Sequence, residues 1–241
     1  MPFTDQPMIN KSFTPTRVAD GSTMDIWVTW PDEKQGHPAV ILLHEAFGLN
    51  TYIRSVAERL CMAGYAVFAP DLLHRMGRLV QLPYTSFISG QAAGEAFTAK
   101  NVMNDVGASL RLSQSIRHIR QDKIGVLGFG MGGRYAFMAN CVFPLSAGIS
   151  YYGYGIETLA GKPVELQSQH LFFWAGRDAL ITTEQVNRIY ELNIGNGRDF
   201  TSVNISYAEH GFHCDERSSY HPLAARQAWM HTLGFLDYLL K

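Results

Sequence analysis

Four positions carry the chemistry that this sequence suggests, and each follows a strand-like run. Glu45 comes after Pro38-Ala-Val-Ile-Leu-Leu43, Asp178 after His170-Leu-Phe-Phe-Trp174, and His210 after Thr201-Ser-Val-Asn-Ile-Ser-Tyr207. A histidine titrating near neutrality can take up and return a proton. A carboxylate such as Asp178 can hold the imidazole tautomer and stabilise the imidazolium. The fourth position lies in Lys123-Ile-Gly-Val-Leu-Gly-Phe-Gly-Met-Gly-Gly-Arg-Tyr-Ala-Phe137. Here Ile124 to Leu127 predicts a buried strand and Arg134 to Val142 a helix. Gly128, Gly130, Gly132 and Gly133 let their backbones approach closely. The outline is G-x-nucleophile-x-G, a strained strand-to-helix turn that normally presents a Ser or Cys. Position 130, where that atom belongs, is glycine.

The elements that must position these groups follow from the same patterns. Residues 11–30 hold two strand-like runs, the second ending in Met24-Asp-Ile-Trp-Val-Thr-Trp30, and Pro31 to His37 predicts a polar turn. The continuous apolar run Pro38 to Leu43 fits a parallel strand covered on both faces. Thr51 to Ala63 has helical periodicity, Gly64 stops it, and Tyr65 to Ala69 predicts the next strand. Such alternation implies right-handed crossovers and a mostly parallel central sheet flanked by helices. Residues 74–100 break the rhythm with Arg75, Arg78, Pro83, Gly90 and Gly94 among Tyr84, Phe87 and Phe97. That stretch is read either as a loop covering a site or as a surface loop with a short helix. A helix capped by Asn101 is expected to run to about Arg120. Further strands are expected over Leu145–Tyr151, His170–Trp174 and Thr201–Tyr207, with helices over Thr183–Leu192 and Leu223–Leu240. One domain spanning 1–241 is the expectation, since the sequence shows no repeat, linker or low-complexity segment.

Bulk composition narrows the function classes. With 241 residues, 46% of them hydrophobic, the chain can bury one substantial core. Lysine and arginine number 20 against 21 acidic residues, so no global field points to nucleic acid or to a membrane surface. The basic face of Arg111, Arg117, Arg120 and Lys123 lacks aromatic interleaving and is read as a solvated helix side. The start, Met1-Pro-Phe-Thr-Asp-Gln6, has no basic and apolar regions of a signal peptide. No apolar stretch reaches about 18 residues. Cys61, Cys141 and Cys214 are odd in number and widely spaced, which disfavours a disulfide framework. A cytoplasmic protein without a membrane anchor is expected.

Several stretches together resemble the dienelactone hydrolases, a family with the α/β-hydrolase fold and a Cys-His-Asp triad. They are Leu43-His-Glu-Ala-Phe-Gly-Leu-Asn50, Ala69-Pro-Asp-Leu-Leu-His-Arg75, Gly128-Phe-Gly-Met-Gly-Gly133, Gly176-Arg-Asp178 and Glu209-His-Gly-Phe212, from about residue 40 onward. The resemblance implies hydrolysis of an activated ester or lactone through an acyl-enzyme, without a cofactor. It implies that Glu45 pairs with the nucleophile and helps to ionise it. Asp178 and His210 would complete the triad, and the N–H groups of Ala46 and Met131 would form the oxyanion hole. Arg75 would hold a substrate carboxylate, and Tyr151, at a strand end, would also contact substrate. The best-known members carry a second carboxylate-binding arginine four residues after the histidine; this chain has Cys214 there, and Arg217 in a different register.

Glycine at position 130 deletes the attacking atom while suiting the positive φ of the turn. Three readings follow: a lapsed cysteine hydrolase, a hydrolase using water activated by His210 with Asp178 or Glu45, or a protein that binds a small ester, lactone or carboxylate without chemistry. Cys141 is expected in the core and Cys214 is expected to be structural rather than a substitute nucleophile. Ser218 and Ser219 are read as the polar lead into the last helix. His210, His213, Cys214 and Asp215 are potential zinc ligands, but no second ligand pair stands at recognisable spacing and no metal is expected.

Overall fold

The structure, a computed structural model, describes residues 9–31, 36–85, 96–159, 165–195 and 199–241, with the backbone alone over 192–195. In chain order the strands are β1 (Ile9–Arg17), β2 (Thr23–Pro31), β3 (His37–Leu43), β4 (Ala66–Pro70), β5 (Ile119–Phe129), β6 (Ala147–Tyr151), β7 (His170–Ala175) and β8 (Phe200–Ile205). The helices are α1 (Thr51–Met62), α2 (Ala99–Ser115), α3 (Met131–Val142), α4 (Thr183–Gly195) and α5 (Pro222–Leu240). One sheet takes all eight strands in the order β1-β2-β4-β3-β5-β6-β7-β8. The β1–β2 and β2–β4 pairings are antiparallel, and every pairing from β4 through β3 to β8 is parallel. This is an α/β-hydrolase-like fold.

Every residue of β3, β4, β6 and β7 is buried, as a sheet covered on both faces requires. Alternation along β3 divides the core: Val40 and Leu42 pack with Tyr52, Val56 and Leu60 of α1 and with Ala228 and Leu236 of α5. Ala39, Ile41 and Leu43 point the other way, to Val102 and Val106 of α2 and Ala136 and Ala139 of α3. Asn50 caps α1 by accepting from Ile53 N at 3.1 Å. Pro222 opens α5 at a position whose N–H would have no helical acceptor.

Some boundaries differ from those expected. Thr98, not Asn101, caps α2, its Oγ1 accepting from Asn101 N at 3.2 Å. The helix stops at Ser115 because Ile116 turns extended and leads into β5, which starts at Ile119 and pairs first with His37. Polar Arg120 to Lys123 hid that early start from a hydrophobicity reading. Strand β8 ends at Ile205, with Ser206 and Tyr207 already in a turn. Among the described residues no helix is long and apolar enough to cross a membrane.

Register brings the strand ends level. Leu43 lies opposite Gly128, Phe129 opposite Tyr151, Tyr151 opposite Phe173, and Ala175 opposite Ile205. Glu45, Gly130, Asp178 and His210 therefore leave the sheet at one edge, the carboxyl ends of its parallel strands, where open α/β sheets bind ligands.

Candidate active site

Gly130 sits between β5 and α3 with φ +52° and ψ −116°, a conformation adverse to any side chain. Its N–H donates to Tyr151 O at 2.9 Å and its carbonyl accepts from Arg134 N at 3.2 Å, which fixes the turn. Gly132 is required for a different reason: a Cβ there would overlap the carbonyls of Leu43 and His44. At Gly130 the surroundings are open. A Cβ would stand 3.6 Å from Glu45 Cγ and Oε1 and 3.9 Å from His210 Nε2, ordinary contact distances. A side chain at position 130 would thus enter the gap between a carboxyl group and an imidazole nitrogen.

His210 and Asp178 meet as expected. His210 Nδ1 lies 2.8 Å from Asp178 Oδ2. The other carboxylate oxygen, Oδ1, accepts from the backbone N–H groups of Leu180 at 2.8 Å and Ile181 at 3.1 Å. With both oxygens engaged, Asp178 holds the Nδ1–H tautomer and leaves Nε2 as the acceptor toward Gly130.

Glu45 is buried, with Oε1 2.9 Å from Arg217 Nη1. Among the described residues nothing pairs with its Oε2. Burial pushes this carboxyl above the usual range, opposed by the charges of Arg217 and His210. His44 holds the loop: its Nδ1 donates to Glu45 O at 2.5 Å and its Nε2 accepts from Leu72 N at 2.9 Å. Burial pushes His44 down to about 4, so it stays neutral and can play both parts. Ala46 follows Glu45 on this loop. Met131 opens α3, so its N–H is among those without an intrahelical acceptor.

The wall beside Glu45 is aromatic and cationic. The Arg217 guanidinium carbon lies 5.5 Å from the Phe47 ring centroid, and Phe47 meets Tyr84 edge-on at 4.7 Å. Leu82 N donates to Phe47 O at 3.0 Å, which lays the start of the 74–100 insertion over the Glu45 loop. Phe87, Gly90 and Gly94 of that insertion lie outside the described residues. The Tyr84 hydroxyl accepts from Asn50 Nδ2 at 2.8 Å and Cys214 Sγ at 3.3 Å and donates to Glu216 Oε2 at 3.0 Å. A cavity of about 650 Å³ opens here, lined by Tyr84, His210, Glu216 and Arg217 among others. A groove of about 690 Å³ between β8 and α5 contains none of the candidate residues.

Two residues expected at the substrate side are engaged elsewhere. Arg75 binds Asp105 through Nη1 and Nη2, both at 2.8 Å, and Asp20 through Nε at 2.9 Å and Nη2 at 2.6 Å. Asp105 is fully buried, so this guanidinium neutralises an interior charge and ties α2 to the β1–β2 turn. Arg217 is the arginine that stands beside Glu45. Tyr151 is buried between Phe129 and Phe173, at ring distances of 4.6 and 4.4 Å, and its hydroxyl lies 2.6 Å from Thr232 Oγ1. Its successor Tyr152 faces His210 instead, ring to ring at 5.0 Å. Tyr152 has φ +37°, an adverse conformation for a bulky residue that costs roughly 1–3 kcal/mol. No periodicity marks such a residue; the signal available was the Tyr-Tyr-Gly step at a strand end.

The other candidates fall into place by burial. The Cys214 and Cys141 thiols are each pushed up to about 12 by burial, which keeps both protonated and weakly nucleophilic. His213 turns inward, its Nδ1 2.7 Å from the Tyr52 hydroxyl. Among the described residues no group of three or more His, Cys, Asp or Glu side chains could hold a metal ion.

Known proteins resemble this chain in sequence and in fold. A family model described as "Dienelactone hydrolase family" matches residues 24–240. A Bradyrhizobium protein named "Probable 2-oxo-3-(5-oxofuran-2-ylidene)propanoate lactonase" is 31% identical over 213 residues, covering 84% of each chain. The carboxymethylenebutenolidase of Pseudomonas putida is 27% identical over 223 residues, covering 91% of this chain and 92% of its own. Among solved structures, a dienelactone hydrolase-like promiscuous phosphotriesterase from metagenomic libraries superposes with a TM-score of 0.82 at 20% identity. That match covers 96% of this chain and 99% of the other.

Proposed function

The chain belongs to the dienelactone hydrolase family, and from that premise we propose that it acts on ester or lactone bonds with its covalent route closed. Gly130 stands at the nucleophile's place, so no acyl-enzyme forms there and water is the attacking group. His210 Nε2 takes a proton from water above Gly130 as the oxygen adds to the acyl carbon. Asp178 stabilises the imidazolium, and the N–H groups of Ala46 and Met131 receive the charge developing on the acyl oxygen. His210 then returns the proton to the departing alkoxide, giving an acid and an alcohol. General-base assistance contributes only about 10²- to 10⁴-fold, so turnover is slow and confined to activated substrates. Relatives named for lactone hydrolysis favour a small ester or lactone as the ligand.

The observation that carries this reading is the placing of Glu45 and His210 Nε2, 3.6 and 3.9 Å from where a Cβ at position 130 would stand. The test is hydrolysis of p-nitrophenyl acetate by the parent protein and by His210→Ala. Slow turnover that disappears in the variant supports the proposal, and equal rates in the two proteins refute it. A second reading, binding of a small carboxylate without bond breaking, is favoured by Arg217, which already holds the carboxyl group of Glu45 at 2.9 Å. That reading predicts stabilisation by a carboxylate that is not consumed.

A further inference from the structure

The buried tyrosines of this fold are paired, with one exception beside the candidate site. The Tyr52 hydroxyl meets His213 Nδ1 at 2.7 Å, that of Tyr65 donates to Asp237 Oδ1 at 2.5 Å, and that of Tyr151 meets Thr232 Oγ1 at 2.6 Å. Tyr135 donates to Phe97 O. Tyr152 is fully buried, and among the described residues nothing pairs with its hydroxyl. A tyrosine hydroxyl taken from water normally finds a partner, because an unmet hydrogen bond opposes folding.

The backbone makes this exception specific. Tyr152 N donates to Phe173 O at 2.8 Å, extending the sheet by one bond while φ stands at +37°. The ring lies against His210 at 5.0 Å and Phe212 at 5.3 Å. Burial pushes its hydroxyl well above the usual phenol range, and the Glu45 charge adds to that. A second unpartnered atom, Glu45 Oε2, belongs to the same group of residues. Among the described residues one donor and one acceptor are thus left over in the surroundings of His210.

We propose that the Tyr152 hydroxyl is a ligand-binding group of this site, donating its hydrogen bond to an oxygen of the bound ester, lactone or carboxylate. The inference rests on the functional reading above and adds a residue to it. A phenol held in an adverse backbone conformation and without a partner among the described residues has its partner supplied by the ligand. Removing the oxygen alone therefore weakens binding and leaves the fold intact.

Tyr152→Phe tests this, since phenylalanine has the same backbone preferences and deletes only the oxygen. The KM for p-nitrophenyl acetate and the thermal-shift Kd for benzoate are each expected to rise about tenfold, the weight of one well-placed hydrogen bond. The Tm without ligand is expected to stay level or rise. Unchanged KM and Kd would overturn the proposal, as would a clear fall in unliganded Tm, which would reveal an internal structural partner. If the parent does not hydrolyse the ester but its benzoate affinity still depends on the hydroxyl, this proposal stands and the hydrolytic reading falls. A parent protein that responds to neither probe overturns both.

Discussion

Asp178 Oδ2 lies 2.8 Å from His210 Nδ1, and this contact decides which nitrogen of the imidazole faces Gly130. Because Asp178 Oδ1 accepts from the N–H groups of Leu180 and Ile181, the carboxylate is fixed before any ligand arrives. In Asp178→Asn the side-chain amide can offer a donor to Nδ1, which reverses the tautomer and removes the free acceptor at Nε2. The hydrolysis of p-nitrophenyl acetate should then fall to the level of His210→Ala, while the far-ultraviolet circular dichroism stays unchanged. Activity retained in Asp178→Asn would detach the pair from the chemistry.

The ion pair of Glu45 with Arg217 makes a pH-dependent prediction. Glu45 is buried and its carboxyl is already raised, while the Arg217 side chain is 20% exposed. Arg217→Ala removes the guanidinium and raises the carboxyl further. A carboxyl raised above its unfolded value contributes stability below that value and loses it as pH climbs through the folded pKa. The variant should be less stable than the parent by about 2 kcal/mol at pH 8, less than for a fully buried pair because of that exposure. The deficit should shrink toward pH 5. Urea denaturation of both proteins across this range measures it, and a deficit independent of pH would show that Glu45 is not the group responsible.

His213 supplies the opposite sign. Burial, with the Arg59 charge adding to it, pushes this ring down to about 3. The unfolded chain takes a proton near pH 6.5 that the folded chain excludes. The stability associated with the neutral ring is present above pH 6.5 and is lost as pH falls toward 3. In His213→Phe this term is gone. Whatever the lost contact to Tyr52 costs at pH 7.5, the variant should gain about 2 kcal/mol on the parent between pH 7.5 and pH 5. Parallel stability curves over that interval would contradict the assignment of a neutral buried ring.

Much of this site was legible in the sequence, for reasons that also explain what was not. Glu45, Asp178 and His210 each follow a strand, and in a parallel sheet such strands end level. The glycine cluster announced a tight strand-to-helix turn, and Gly130 has the positive φ that such a turn needs. Arg75 was misplaced because a motif gives an arginine's position along the chain and not its partner; here that partner is buried Asp105, whose charge has to be neutralised. Tyr152 was not singled out because a φ of +37° sets which ring of the buried Tyr151-Tyr152 pair lies against His210, and no sequence pattern shows it. The sequence placed His44 beside Glu45 but not its role, which is to hold the loop through two hydrogen bonds. Side-chain partners of this kind are tertiary facts, set by which loops meet at the sheet edge.

Placing a sulfur at position 130 tests the central claim most directly. The adverse φ of +52° should cost Gly130→Cys about 1–3 kcal/mol, an acceptable loss if the variant remains folded at 25 °C. The thiol would extend from a Cβ 3.6 Å from Glu45 Oε1 and 3.9 Å from His210 Nε2. Rapid mixing of the variant with p-nitrophenyl acetate should release a burst of p-nitrophenolate, one per chain, with acetylation at position 130 seen by mass spectrometry. The parent should show neither. A folded Gly130→Cys variant without burst or adduct, turning over no faster than the parent, would contradict the account of Gly130 as the deleted nucleophile of a site otherwise prepared to use one.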